Sequence, residues 1–213
     1  NVTIEGINPE PFWGSRSNNF FSKTAFLFIY THWIRRERRD YLNGHPSFYN
    51  FLKFHVFTAM TWLLSGHKIL NRIFRYFDWR HSPSNFFDKQ YEVYKPDLVF
   101  SADIYTDFDQ ALIKEAKMRK VFVVGMIRSW DNNFSKGLMR FMPDKLVVNN
   151  EVIQKEAVEL HDYPKKDILV AGLPQFDAYL KAPFQSRENF FGSLNGNSDK
   201  KTILFAPGSP RGA

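Results

Sequence analysis

Five short apolar runs divide the second half of the chain at nearly even intervals. They lie at residues 97–100, 121–124, 145–148, 168–170 and 202–205, and the first four begin about 23 residues apart. Helical patterns of apolar residues separate the first four runs, at residues 108–118, 134–141 and 151–160. Apolar strands that alternate with helices predict a parallel sheet covered on both faces, which is the doubly wound, Rossmann-like α/β fold.

Residues 20–80 predict a helical segment instead. Residues 25–34 are apolar nearly all round and lead into the basic sequence RRERR, and cations suit the C-terminal end of a helix. Residues 48–64 follow as a second apolar helix. Its polar residues fall in one narrow stripe, which predicts a helix that is buried or faces lipid. The stripe consists of His55, Thr58, Thr61 and Ser65.

A third helix in this segment is predicted to be a basic amphipathic helix. Lys68, Arg72 and Arg75 share one face of it, and an apolar face lies opposite. No run in the chain is long enough for a membrane-spanning helix, which needs roughly 20 apolar residues. The best run, residues 48–64, contains Lys53 and His55.

Charge is concentrated where these helices are predicted. The 213 residues have a net charge of +7, and residues 1–80 hold 11 Lys and Arg against 5 Asp and Glu, a net charge of +6. A basic, aromatic segment indicates either nucleic acid or an anionic membrane surface as partner. Because no RNA-binding motif or aromatic sheet face is visible, we predict no nucleic acid and a peripheral membrane contact through residues 20–80. The absence of cysteine fits a cytoplasmic location and excludes thiolate metal sites.

Ligands of open α/β sheets bind beyond the carboxyl ends of the strands. The loop after the first strand contains Asp103, Asp107 and Asp109, whose carboxylates suit a hard metal ion. The simpler interpretation is that Thr106 or Asp107 caps the following helix. We predict no metal site.

The loop after the second strand, RSWDNN, is the densest polar stretch of the chain. Asp131 has the chemistry of a general base, Trp130 that of a stacking platform for a sugar, and Arg128 that of a phosphate ligand. The alternative is that Asp131 or Asn132 caps a helix that begins near Phe134. Both interpretations stay open on these residues alone.

Two further loops follow later strands. Gly172 and Pro174 predict a tight turn, with Asp177 as a cap or ligand contact. In the sequence APGSPRG, the residues Gly208, Ser209 and Arg211 offer backbone N–H groups and a guanidinium to a phosphate. The chain starts in a predicted strand, residues 2–7, and stops within this loop, so we expect a fragment of a longer protein.

Three stretches together resemble the GT-B glycosyltransferase superfamily. They are SWDN followed by KG, the run PDKLVVNNEVIQKEAVELHDYPKKDILVAGLPQFD, and KKTILFAPGSPR. Within this superfamily, the chain resembles CDP-glycerol glycerophosphotransferases and UDP-N-acetylglucosamine 2-epimerase-like proteins. This resemblance implies an N-terminal, acceptor-side domain over residues 1–195 with a helical insertion at 20–95. Residues 196–213 would then begin a C-terminal nucleotide-binding domain.

The resemblance also implies a reaction and a set of site residues. The expected enzyme transfers a sugar or sugar-phosphate group from a UDP- or CDP-linked donor to a glycan or lipid-linked acceptor, with no bound cofactor or metal. Glycerophosphotransferases of this kind carry His-Gly-Thr where Ser129, Trp130 and Asp131 stand here. Ser129 and Asp131 are therefore the catalytic candidates.

The remaining candidates divide between the two substrates. Acceptor binding is expected from Arg128, Trp130, Asn132 and Asp103, and donor binding from Gly208, Ser209 and Arg211. Two alternative functions stay open. One is an epimerase acting on UDP-N-acetylglucosamine, and the other is a non-catalytic module that binds a membrane surface.

Overall fold

The computed structural model describes residues 15–180, 185–203 and 205. The chain divides between Gly172 and Leu173 into two compact units. The predicted strand at residues 2–7 and the predicted donor loop with Gly208, Ser209 and Arg211 lie outside the described residues.

From residue 15 onward, where the described part of the chain begins, five helices and one 3-10 turn precede the first strand. They are α1 (Arg16–Thr24), the turn Ala25–Leu27, α2 (His32–Gly44), α3 (Phe48–Leu64), α4 (Lys68–His81) and α5 (Asp88–Tyr94). The single apolar helix predicted over residues 25–34 is wrong. Thr31 has an extended backbone and its hydroxyl accepts a hydrogen bond from the backbone N–H of Ile34, so it starts α2 as an N-cap. Ser15 and Ser47 begin α1 and α3 in the same way.

The predicted parallel sheet is confirmed. Its strands are β1 (Leu98–Ser101), β2 (Phe122–Met126), β3 (Lys145–Val148) and β4 (Ile168–Val170). All neighbouring pairs are parallel, and the spatial order is β1-β2-β3-β4. The chain is therefore an α/β protein with a four-stranded parallel sheet, which is compatible with a Rossmann-like fold.

Three helices connect these strands. They are α6 (Asp107–Met118), α7 (Asn132–Ser135) and α8 (Glu151–His161). The prediction of a helix over residues 134–141 is wrong, because α7 has a single turn and the chain then runs irregularly to β3. Gly137, at φ +80°, follows that turn and favours its termination.

One face of the sheet is exposed. Val99, Val123 and Leu146 are buried on one face, whereas Leu98, Phe100 and Leu169 on the other are each more than half exposed. Strands in sequential order, joined by right-handed crossovers, receive all their connections on the same side. The predicted cover on both faces is therefore wrong for the part of the chain that the structure describes.

Two hydrophobic clusters stabilise the first unit. The larger lies between the sheet and helices α5, α6 and α8. The smaller is formed by the N-terminal helices around Phe21, Phe28 and Phe74, and it includes Leu138 from the loop before β3. That loop therefore links the helical segment to the sheet.

The second unit contains a 3-10 helix, Pro174–Leu180, and the short helix α9 (Arg187–Ser193). The guanidinium of Arg187 donates to the backbone oxygens of Ser198 and Lys200, at 2.8 and 3.1 Å. Thr202 and Ile203 have no regular secondary structure, so the strand predicted there is not present in the described residues.

Candidate functional site

The loops after β1 and β2 meet at the carboxyl edge of the sheet. A salt bridge joins them, with 3.3 Å between Nη2 of Arg128 and Oδ2 of Asp103. The Arg128 side chain is 72% exposed, whereas that of Asp103 is 13% exposed. Asp103 thus fixes one side of a guanidinium whose other donors face solvent. The structure brings together these two residues, as expected for loops at a shared edge.

Asp131 is held by two hydroxyl groups. The Ser129 hydroxyl donates to Oδ1 of Asp131, and the Ser135 hydroxyl donates to Oδ2 at 3.2 Å. The hydrogen bond from Ser129, with smaller help from Ser135 and Lys136, holds the pKa of Asp131 below its ordinary value. This carboxylate is ionised at neutral pH and remains partly exposed. It occupies the N-cap position of α7 but makes no capping bond to the backbone.

The other two residues of the motif have different surroundings. The Trp130 ring is 64% exposed and lies 5.8 Å from the Phe134 ring, which in turn contacts Trp33 edge-on at 6.2 Å. This leaves one side of the indole accessible for stacking. Asn132 is buried, and its backbone N–H binds the Ser129 oxygen. Asn132 is thus not available on the surface in this conformation, which weighs against the acceptor contact predicted for it.

The three aspartates of the first loop serve separate partners. Thr106 caps α6 by accepting a hydrogen bond from the Asp109 N–H at 3.1 Å, which confirms one of the two capping interpretations. Asp107 contacts the Arg140 guanidinium at 3.3 Å. Asp109 accepts from the Ser101 hydroxyl at 2.9 Å, and burial raises its pKa. These contacts give a structural role to the acidic loop.

A buried polar network behind the site was not predicted. The Tyr105 hydroxyl donates to Oδ1 of Asn133 at 2.8 Å, and the Asn133 amide donates to the Ile153 oxygen at 3.0 Å. His161 accepts the Met139 N–H at Nδ1, 3.1 Å, which leaves Nε2 to donate to the Asn133 oxygen at 2.9 Å. Burial and the nearby guanidinium of Arg75 lower the pKa of His161 to about 3, so the ring is neutral.

Arg75 belongs to this network rather than to an exposed basic face. Its Nε donates to the Met139 oxygen at 2.9 Å, and its Nη2 donates to the His161 oxygen at 2.7 Å. Asp162 lies 4.0 Å from Nη1. Helix α4 thus turns Arg75 inward, where buried carbonyls and a carboxylate solvate the cation, while Lys68 and Arg72 stay exposed. The amphipathic prediction for α4 is therefore wrong about which face is buried. Ile69, Ile73, Tyr76 and Phe77, the predicted apolar face, are exposed.

The KG that follows SWDN attaches the helical segment to the site loop. Gly137 has φ +80°, and a Cβ at this position would lie 3.1 Å from both the Ala25 carbonyl carbon and the Phe26 nitrogen. The next residue, Leu138, donates its N–H to the Ala25 oxygen at 3.0 Å. The Thr31 hydroxyl donates to the Phe134 oxygen at 2.8 Å. A glycine at position 137 lets the two backbone segments approach each other, whereas a side chain there would keep them apart.

Two oxygen atoms near this edge have no partner among the described residues. One is Oδ1 of Asn149, directly after β3, and the other is Oε2 of Glu156 on α8. Burial raises the pKa of Glu156, and a hydrogen bond from Asn133 opposes that shift. Neither residue was predicted from the sequence, because Asn149 stands at an ordinary helix start and Glu156 on an ordinary helix face. Buried acceptors of this kind ordinarily have a donor.

In the third predicted loop Gly172 has φ +76°, and the 3-10 helix Pro174–Leu180 follows; the tight turn expected there stays a prediction. Asp177 lies in the 3-10 helix Pro174–Leu180 of the second unit.

Comparisons with protein-family models, with curated proteins and with solved structures return no match for this chain. Function must therefore be argued from the geometry of the Arg128–Ser135 loop and its neighbours.

Proposed function

We propose that this chain is the acceptor side of a GT-B-type glycosyltransferase. The enzyme would transfer a sugar or sugar-phosphate group from a UDP- or CDP-linked donor to a glycan or lipid-linked acceptor. The supporting observation is the loop after β2, where Ser129 and Ser135 hold the Asp131 carboxylate and where the side chains of Arg128 and Trp130 are exposed. A carboxylate, a cation and an aromatic face are the groups needed to bind a sugar hydroxyl, a phosphate and a sugar ring.

In this reaction an acceptor oxygen attacks the donor at a sugar C1 or at a phosphorus. The new bond forms as the bond to the nucleotide breaks, and the nucleotide leaves with the electron pair. Asp131 accepts the proton of the acceptor hydroxyl. Its lowered pKa makes it a weaker base than a group poised near pH 7, so it contributes mainly by orienting that hydroxyl and taking the proton late.

Arg128 and Trp130 bind the acceptor in this proposal. Asp103 restrains one side of the guanidinium at 3.3 Å, so the remaining N–H groups are directed outward to bind a phosphate. Trp130 stacks on a sugar ring, with Phe134 supporting it from behind. Donor binding by Gly208, Ser209 and Arg211 stays part of the proposal, as does the nucleotide-binding domain that they would begin.

Asp131→Asn in the full-length protein tests this function. Asparagine keeps the size and hydrogen-bonding capacity of the side chain and removes its charge. Nucleotide release from a panel of UDP- and CDP-linked donors, with a lipid extract as acceptor, is expected to fall by roughly 10²-fold or more. Asp40→Asn, an exposed change of the same kind on α2, is the control and keeps wild-type turnover. Wild-type turnover in Asp131→Asn would show that Asp131 supports its loop and takes no part in the transfer.

Membrane-surface binding is the second function we propose, because helices α3 and α4 expose many apolar side chains. Trp62, Leu63 and Ile69 are among the most exposed of them. Exposed cations such as Lys68 and Arg72 lie on the same helices. No helix in the described residues is long and apolar enough to cross a bilayer. An apolar face with adjacent cations suits the surface of an anionic membrane.

Vesicle cosedimentation tests the membrane contact. The chain should sediment with anionic but not with neutral vesicles, and salt should weaken this binding. Trp62→Ala combined with Leu63→Ala should abolish it, because the pair removes exposed apolar area that enters the interface. Val152→Ala on α8, at a residue of similar exposure, is the control. Equal sedimentation with neutral vesicles, or sedimentation that the double variant retains, would contradict the contact.

A further inference from the structure

A groove of about 500 Å³ opens between the end of α1, helix α2 and helix α3. Its volume is within the range of sites that hold a small organic ligand. Apolar side chains form much of its lining, among them Ile34, Leu42, Phe54 and Phe57. In this lining Ile34 is buried and Phe57 is half-buried. The groove therefore offers a site from which water can be displaced.

Charged side chains also line this groove. Lys23, Arg38 and Lys53 are cations, and Glu37 is the carboxylate among the lining residues. None of the three cations forms an ion pair with another described residue, whereas the neighbouring Arg36 is paired with Asp40 at 3.8 Å. The lining thus carries an excess of positive charge.

Arg38 is the most enclosed of these cations. Its guanidinium carbon lies 3.0 Å from the centre of the Phe57 ring, so the group is stacked on the apolar wall. Burial lowers the pKa of Arg38 to about 10, and Glu37 opposes that shift. A guanidinium that is partly withdrawn from water and lacks a bound carboxylate favours an anionic ligand, because such a ligand restores the lost solvation.

We propose that this groove binds a lipid phosphate with a single hydrocarbon chain. Arg38 and Lys53 hold the phosphate, with Lys23 adding positive charge. The hydrocarbon chain lies along Ile34, Phe54 and Phe57. The positive charge of the lining favours a ligand with an anionic head group. The apolar part of the lining favours a hydrocarbon chain, which inorganic phosphate lacks. This site does not depend on the proposed transferase activity, and it differs from the membrane contact because it holds one molecule inside a groove.

Calorimetric titration of the full 213-residue chain with dodecyl phosphate, below its micelle-forming concentration, tests the site. Binding should occur with one molecule per chain. Decyl phosphate, which is shorter by two methylenes, should bind about 15-fold more weakly, since each buried methylene contributes about fourfold in affinity. Dodecyl maltoside, which has an uncharged head group, and inorganic phosphate alone should both bind at least tenfold more weakly than dodecyl phosphate.

Variants distinguish this groove from other basic surfaces. Arg38→Met with Lys53→Met should weaken dodecyl phosphate binding at least tenfold, because it keeps stacking on Phe57 and removes both charges. Arg36→Met changes a neighbouring arginine of α2 that is paired with Asp40. This variant should bind dodecyl phosphate like the wild type. Leu42→Trp fills the groove and should abolish binding while all the cations remain. It serves as the independent test if the double variant does not fold.

Three results would overturn the proposal. They are unchanged binding by the folded double variant or by Leu42→Trp, binding of several molecules per chain, and equal affinity for inorganic phosphate. The transferase and membrane proposals would survive each of them, since their tests use nucleotide release and vesicles.

Discussion

The guanidinium of Arg140 and the carboxylate of Asp78 form a two-bond ion pair inside the protein. Nε lies 2.7 Å from Oδ2 and Nη2 lies 2.9 Å from Oδ1, and the two side chains are 5% and 0% exposed. Arg140 also donates to Oδ1 of Asn18 at 2.9 Å and to the Ser82 hydroxyl at 3.1 Å. One side chain from the loop before β3 thus binds α1, α4 and the residue that ends α4.

We predict that Arg140→Met destabilises the protein by about 3–5 kcal/mol, because it leaves the Asp78 carboxylate buried without its cation. Urea unfolding followed by circular dichroism measures the free energy of unfolding. Arg80→Met, at an exposed arginine of α4, should change it by less than about 0.5 kcal/mol.

The double variant Arg140→Met with Asp78→Leu should recover part of the loss, since no unpaired charge remains. If Arg140→Met alone unfolds like the wild type, the pair contributes no net stability and the helices are held by their apolar contacts.

Gly137 gives a second prediction. Gly137→Ala should destabilise by about 1–3 kcal/mol, because φ +80° is strained for alanine and the new Cβ would lie 3.1 Å from the backbone of Ala25 and Phe26. Gly44→Ala is the matched control, because a Cβ at Gly44 meets nothing within 4 Å and its φ is not positive. The control should be neutral or slightly stabilising. Thermal unfolding midpoints of the two variants provide the comparison, and equal midpoints would contradict the close approach.

The strands and the α6 cap were predictable because their signals are local. Four runs of Val, Leu, Ile and Phe at regular spacing predict buried parallel strands, and Thr106 caps α6 as its residue type favours. The orientation of α4 was not predictable. Arg75 binds the oxygens of Met139 and His161, which lie 64 and 86 positions away, and nothing near Arg75 in the sequence announces them. An amphipathic pattern shows that a helix has two different faces. It does not show which face is buried when polar groups inside the protein can solvate a cation.

Part of the candidate site was predictable from the positions of its loops in the sheet. The salt bridge between Arg128 and Asp103 follows from two loops that share a sheet edge. The burial of Asn132 and the hydroxyl bonds to Asp131 depend on the single-turn helix α7, where a longer helix was predicted. Asn133 looks like part of the same polar run, yet it is buried and binds Tyr105 and the Ile153 oxygen.

Ser129 supplies a third prediction. Ser129→Ala removes the largest influence that lowers the pKa of Asp131, so this pKa should rise toward the ordinary aspartate value. Carboxyl-carbon NMR during an acid titration reports it directly. The hydrogen bond from Ser129 to Asp131 stabilises the folded state fully at pH values above the pKa of this aspartate in the unfolded chain. This stabilisation is lost as the pH falls through the lower pKa of the folded state. Ser193→Ala, in α9, should leave the Asp131 titration unchanged. A wild-type titration curve in Ser129→Ala would show that the hydroxyl does not act on this carboxylate.

His161 gives the last prediction, which concerns pH and stability. Its folded pKa is about 3, against 6.5 for the ordinary side chain, because the ring is fully buried and lies near Arg75. Between these values the unfolded chain binds a proton that the folded chain does not, so stability falls as the pH drops below about 6.5. The expected loss between pH 7 and pH 5 is about 2 kcal/mol from this residue, at about 1.4 kcal/mol per pH unit.

His161→Gln tests this pH dependence, because the glutamine amide can accept the Met139 N–H and donate to the Asn133 oxygen without titrating. Free energies of unfolding at pH 7, 6 and 5 are compared with those of the wild type. The variant is expected to start less stable and to lose about 2 kcal/mol less by pH 5, while all other groups cancel in the difference. His67→Gln, at an exposed histidine, should follow the wild-type curve. Parallel curves for His161→Gln and the wild type would mean that His161 takes up its proton in the folded state, and the neutral ring between Asn133 and Met139 would be wrong.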